Sequence, residues 1–136
     1  MNVKNTEIKD LMSQYKKMVV YGLSGDPMKA SNSVPLYMKS KGWDIVGTYP
    51  KPHDTGFKIY TSLAEVPQEY RKFVDVFRAS EKIPDVVDEI LELGGVEVLW
   101  LQLGIFHPEA EERAEKAGIK VVSNRCLVIE HRKWFK

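Results

Sequence analysis

Met18-Val19-Val20-Tyr21-Gly22-Leu23-Ser24-Gly25-Asp26 runs from an apolar strand into a turn of small residues, and Pro27-Met28-Lys29-Ala30-Ser31 follows it. The next periodic segment, Val34 to Lys41, predicts a helix. A strand, a glycine turn and a helix N-terminus in that order make an anion site. Unpaired amides point outward there, and the helix dipole favours negative charge. Gly22, Leu23 and Ser24 are therefore the expected cradle for the phosphates of a nucleotide-type ligand.

Working outward, Ile8, Leu11, Met12 and Tyr15 mark one face of a helix ahead of this strand. Gly42 ends the helix that follows it, and Trp43 to Tyr49 reads as the second strand, stopped by Pro50. The prolines and glycine across Pro50, Pro52 and Gly56 predict a loop. Lys58-Ile59-Tyr60 is a short extended piece, and Ser62 with Glu65 fits a capping box for a brief helical turn. Phe73 to Arg78 is a strand with one acid, Asp75, expected to face a loop or a backbone donor. Pro84 to Leu93 is a helix closed by Gly94-Gly95, Val98 to Gly104 a strand, Glu109 to Lys116 a helix, and Ile119 to Val122 the last strand. The remainder leads into a short C-terminal segment.

Strands alternate with helices nearly throughout, which predicts an α/β fold: a doubly wound, mostly parallel, Rossmann-like sheet of about five strands flanked by helices. Residues 1–16 form a lead-in helix and residues 17–136 the binding domain. The chain has 136 residues, 43% hydrophobic and 29% charged, with 20 basic against 19 acidic side chains. That balance argues against a generic nucleic-acid binder, which needs a surplus of Lys and Arg. No apolar run approaches the roughly 20 residues of a membrane span. The polar start and the single cysteine, Cys126, suit a cytoplasmic setting.

Ligands of such sheets bind outside the carboxyl ends of the strands. Those ends carry Gly22, Leu23 and Ser24; Tyr49, Pro50 and Lys51; Phe77 and Arg78; and Gln102. Where a dinucleotide site has an acid for the ribose 2′-hydroxyl, this chain has Lys51. A cation there suits a phosphorylated ribose, as in NADP or coenzyme A. Lys29 is placed to close over a pyrophosphate, and Ser31 and Asn32 to cap the helix or donate to a phosphate. Arg78 needs a carboxylate, with Glu81 the nearby candidate, or a phosphate. His53, His107 and His131 are scattered without metal-ligand spacing, and no nucleophilic triad or G-x-S-x-G elbow is present.

Val20 to Ser24, Tyr49-Pro50-Lys51, Asp75 to Arg78, Trp100 to Gly104 and Asn124-Arg125-Cys126 together resemble the blocks of the small stand-alone CoA-binding domain proteins. These are similar to the N-terminal CoA-binding domain of the succinyl-CoA synthetase α subunit. The resemblance covers about residues 17–132. It implies a Rossmann-type fold that holds coenzyme A, or an acyl-CoA, through the first glycine turn, the Pro-Lys pair and the ends of the middle strands. The synthetase's phosphorylated histidine belongs to another domain, so its activity is not carried over.

The expected function is thus a CoA-binding module, regulatory or non-catalytic, with no nucleic-acid or membrane partner. A homodimer or an unidentified protein partner is compatible with it. The rivals are an NADP-dependent oxidoreductase-like protein and an interaction protein that has lost its ligand.

Overall fold

The computed structural model describes residues 2–51 and 53–135. Met1, Lys136 and Pro52, the last of which is one of the prolines in the expected loop, lie outside the described residues. Strands β1 (Lys17–Tyr21), β2 (Asp44–Thr48), β3 (Lys58–Tyr60), β4 (Phe73–Val76), β5 (Val98–Leu101) and β6 (Lys120–Val122) form one sheet in the order β3-β2-β1-β4-β5-β6. Every neighbouring pair is parallel. Strand order reverses between β1 and β4, so their carboxyl ends flank the switch point.

Both faces of the sheet are covered, which explains the unbroken apolar runs in its strands. Alternate residues go to opposite sides. Val19, Val74, Val76, Leu99 and Leu101 pack with Val86, Val87 and Ile90 of helix α4 (Ile83–Leu93) and with Ala110 and Ala114 of α5 (Pro108–Lys116). Met18, Val20, Phe73, Trp100 and Val122 pack on the other side. There they meet Ile8, Leu11 and Met12 of α1 (Asn5–Ser13), Val34 and Met38 of α2 (Ala30–Ser40), and Leu127 of α6 (Leu127–Trp134). A one-turn helix α3 (Gln68–Arg71) precedes β4.

The sheet has six strands rather than five, because the short extended piece at Lys58–Tyr60 pairs with β2 as an edge strand. Helix α2 begins at Ala30, four residues before the apolar periodicity does. Pro35 lies inside it and cannot donate to the carbonyl of Ser31; the Ser24 amide fills that place at 3.3 Å. The tail, expected as a short segment, forms α6 and packs on α2 and α1. The turn at Ser62 is a 3-10 helix over Leu63–Glu65; the Glu65 carboxylate accepts from the hydroxyls of Thr61 and Ser62.

Candidate functional site

The turn after β1 is latched to β2. The amides of Gly22 and Leu23 both donate to the carbonyl oxygen of Thr48, each at 3.0 Å, and the Ser24 amide donates to Ser31 O. Gly22 has φ +92°, and a Cβ built there would stand 2.8 Å from the carbonyl oxygen of Phe77. Gly47 is small because Leu23 packs on it, with the added carbon 2.6 Å from Leu23 Cβ. The buried Asn32 side chain donates from Nδ2 to Ser24 O at 2.9 Å. These contacts close the β1 turn tightly between β2, β4 and α2.

The expected cradle of Gly22, Leu23 and Ser24 amides is therefore corrected: all three are spent on the protein's own carbonyls. Among the described residues, the amides left without an acceptor on this side are those of Gly25, Ala30 and Ser31. Ala30 and Ser31 are the first two residues of α2, where the orphan donors of a helix lie. Lys29 is the N-cap residue and is exposed. Anion-binding capacity thus sits one step further along the chain than the glycine turn.

On the other side of the switch point, Tyr21 and Arg78 separate two small clefts of about 170 and 180 Å³. The first is lined by Thr48, Tyr49, Pro50, Ser62 and Glu89, the second by Lys82, Asp85 and Val86. Tyr21 Oη donates to the Glu89 carboxylate at 2.7 Å. Burial, then the bond to Glu89, pushes the Tyr21 phenol up to about 12, so it keeps its proton and serves as a donor. The Arg78 guanidinium lies over the Tyr21 ring, 5.5 Å from its centroid. The expected partner Glu81 is not engaged; among the described residues Arg78 forms no ion pair and its donors meet no acceptor. A half-buried guanidinium with donors free at the switch point is suited to an incoming anion.

The loop after β2 folds back over the β1 turn. Tyr49 donates its amide to Tyr60 O, and its ring meets His53 edge-on at 5.3 Å. His53 Nε2 lies 2.9 Å from Leu23 O and, since a carbonyl only accepts, donates to it, while Nδ1 lies 3.0 Å from Thr55 Oγ1. Pro50 and Lys51 are exposed beside it. Phe77 places its amide on Tyr21 O and its side chain on the core face of α1, α2 and α6.

Gln102 departs from expectation. Its side chain is buried and donates from Nε2 to Asp75 Oδ1 at 2.6 Å. Asp75, expected to face a loop or a backbone donor, is wholly buried, and its Oδ2 has no partner. Burial drives its carboxyl up to about 8, partly opposed by the Gln102 hydrogen bond. This pair is a piece of polar core under the site rather than part of its open rim.

A family model described as a CoA binding domain matches residues 16–132. The chain belongs to that family. The Bacillus subtilis (strain 168) protein YneT is 32% identical over 131 residues, covering 96% of both chains. Among solved structures, cell-free ID.343 from Thermus thermophilus is 32% identical, with a TM-score of 0.87 over 98% of this chain and 100% of that one. A hypothetical protein from Pyrococcus horikoshii OT3 is 28% identical, with a TM-score of 0.89 over 98% and 94%.

Within this CoA-binding domain the structure gathers Gly22, Leu23, Ser24, Lys29, Ser31, Tyr49, Pro50, Lys51, Phe77 and Arg78 around the carboxyl ends of β1, β2 and β4. Gln102 follows β5 directly but turns inward. Sequence reasoning missed Tyr21, Glu89 and His53 as parts of the rim. Tyr21 carried a usable signal, a polar-tipped aromatic closing an apolar strand. Glu89 carried none, since it reads as one more acid on an amphipathic helix.

Proposed function

We propose that this protein binds coenzyme A or its acyl thioesters across the carboxyl edge of β2, β1 and β4. The observation that carries the reading is Arg78, half-buried beside the switch point with its donors unclaimed by any described carboxylate. Two anion positions flank Gly22. One is the start of α2, with the amides of Ala30 and Ser31 beside Lys29; the other is the Arg78 cleft, with Lys51 on the loop above it. A ligand with a diphosphate and a separate ribose phosphate has two anionic groups to match. Family membership supports the choice of ligand. Tyr49 and Pro50 supply an apolar wall to the cleft for a base. The single cysteine, which rules out an internal disulfide, supports a cytoplasmic setting.

Calorimetric titration with CoA, 3′-dephospho-CoA, NADP and NAD tests the reading. CoA binds best, and Arg78→Ala weakens it by about 1–3 kcal/mol, the scale of a lost charge-assisted bond. Lys51→Ala weakens CoA more than 3′-dephospho-CoA; equal loss for the two would remove Lys51 from the ribose phosphate. A preference for NADP would favour an oxidoreductase-like role instead. No heat with any of the four would leave an interaction protein without a nucleotide ligand.

A further inference from the structure

Along the carboxyl edge of the sheet the chemistry changes from one end to the other. Lys51 follows β2, Lys29 follows β1, and Arg78 and Lys82 follow β4. After β5 two large apolar side chains stand out: Leu103 is 63% and Phe106 52% exposed, both in one short loop. Strands in a sheet lie about 4.8 Å apart, so the end of β5 stands roughly 14 Å from that of β2. The edge therefore presents cations over three strands and large apolar side chains over the next.

The apolar loop is braced, so its side chains are held outward. Ile105 N donates to Gln102 O at 2.9 Å, and Asn124 N to Ile105 O at 3.1 Å. Gly104 N donates to Asn124 Oδ1 at 2.7 Å, and Phe106 N to Ser80 Oγ at 3.1 Å. Asn124 adopts φ +58° to make its part of this lock. Four bonds from three separate segments fix a loop that turns Leu103 and Phe106 to water. Leaving such side chains exposed forgoes the stabilisation of burying them, which an apolar group laid over them would recover.

Resting on the CoA reading above, we infer that the ligand is an acyl thioester whose hydrocarbon chain lies on Leu103 and Phe106. The polyanionic end of the ligand takes the cations over β2, β1 and β4. Its long arm then crosses the switch point toward β5, which brings the thioester end to the apolar loop. Polyanion at one end and hydrocarbon at the other is the same polarity order as the edge itself. The loop thus sets preference for acyl chain length and leaves affinity for the phosphates untouched.

Calorimetry with CoA, acetyl-CoA and octanoyl-CoA on wild type and on Leu103→Ser/Phe106→Ser tests this. A fully buried methylene is worth roughly fourfold in affinity, so octanoyl-CoA, partly covered on an open loop, should bind at least about tenfold tighter than acetyl-CoA. In the double variant that gain should shrink to about threefold or less, with CoA itself within about twofold of wild type. CoA binding with no gain from the longer chain would overturn the inference and leave the CoA reading standing. Absence of binding by all three, CoA included, would take both down. A gain that survives in the double variant, or that vanishes equally in the control Leu91→Ser on α4, would also overturn it. Sedimentation of both proteins should give the same mass; a dimer that the double variant dissociates would assign the loop to a second copy of the chain instead.

Discussion

At the scale of single residues, Gly22 illustrates why a glycine turn after a strand reads correctly as a landmark and incorrectly as a mechanism. Its φ of +92° and the 2.8 Å approach of the Phe77 carbonyl to a built Cβ are demands of chain packing. Gly42 offers a control, since it has φ +95° but nothing within 4 Å of an added carbon. Gly42→Ala should cost about 1 kcal/mol from the left-handed backbone alone. Gly22→Ala should cost a further 1–3 kcal/mol, roughly, because the backbone of β4 must also give way. Denaturant unfolding of the two variants checks this, and equal losses would mean that the approach of Phe77 is not what fixes the glycine. The rough positions of Lys51 and Arg78 beyond strands were legible from sequence, although β2 ends at Thr48 and β4 at Val76, one and two residues earlier than the apolar runs suggested. That the amides of Gly22 and Leu23 were spent was not, because their acceptor is Thr48, 26 residues from Gly22 and brought there only by β1–β2 pairing.

Among the elements, β4 and β5 carry the least expected feature, the Asp75–Gln102 pair inside the sheet. Asp75 alternates onto the same face as Phe73 and lies in register with Val20 and Trp100, so its carboxyl is set among apolar neighbours. With its native value near 8 and an ordinary value of 3.8, the folded chain holds a proton there that the unfolded chain releases. Stability contributed by this group is therefore full below pH 4 and declines as pH rises toward 8, by about 1.4 kcal/mol per pH unit, then levels off. Asp75→Asn removes the titrating proton while keeping an oxygen for Gln102. Its unfolding free energy should lose that share of the slope between pH 5 and 8, as read by urea denaturation at several pH values. An unchanged slope would show that Asp75 is not the group responsible. Sequence reading recognised β4 as a strand with an acid inside but expected the acid to face a loop or a backbone donor, whereas its partner is the Gln102 side chain. The resolution, a neutral acid bonded to the glutamine just past the end of the next strand, depends on a long-range pairing that no local pattern records. Helix α2 shows the same limit. Its apolar periodicity begins at Val34, while its first turn of Ala30 to Ser33 is built from small and polar residues that carry no period.

For the molecule as a whole, the alternation of strands and helices sufficed to predict a doubly wound parallel sheet. The order of its strands required coordinates. The family match begins at residue 16, yet α1 lies ahead of it and buries Ile8, Leu11 and Met12, none more than 2% exposed. Burying such side chains contributes about 1.5–3 kcal/mol each, against a total margin of about 5–15 kcal/mol for a domain. Deletion of residues 2–14 should therefore lower the thermal midpoint sharply or prevent folding, as circular dichroism would show. A midpoint unchanged by the deletion would reduce α1 to an appendage.

The buried acid on β4 reaches the charge of the entire chain. Its formal +1 counts 20 basic and 19 acidic groups with Asp75 ionised; with that proton retained at neutral pH the native protein carries 20 against 18, or +2. Each molecule that unfolds at pH 7 then discharges a hydrogen ion into its surroundings. The enthalpy recorded in a melting scan will accordingly contain the protonation heat of whichever buffer captures it, and will differ between phosphate and Tris.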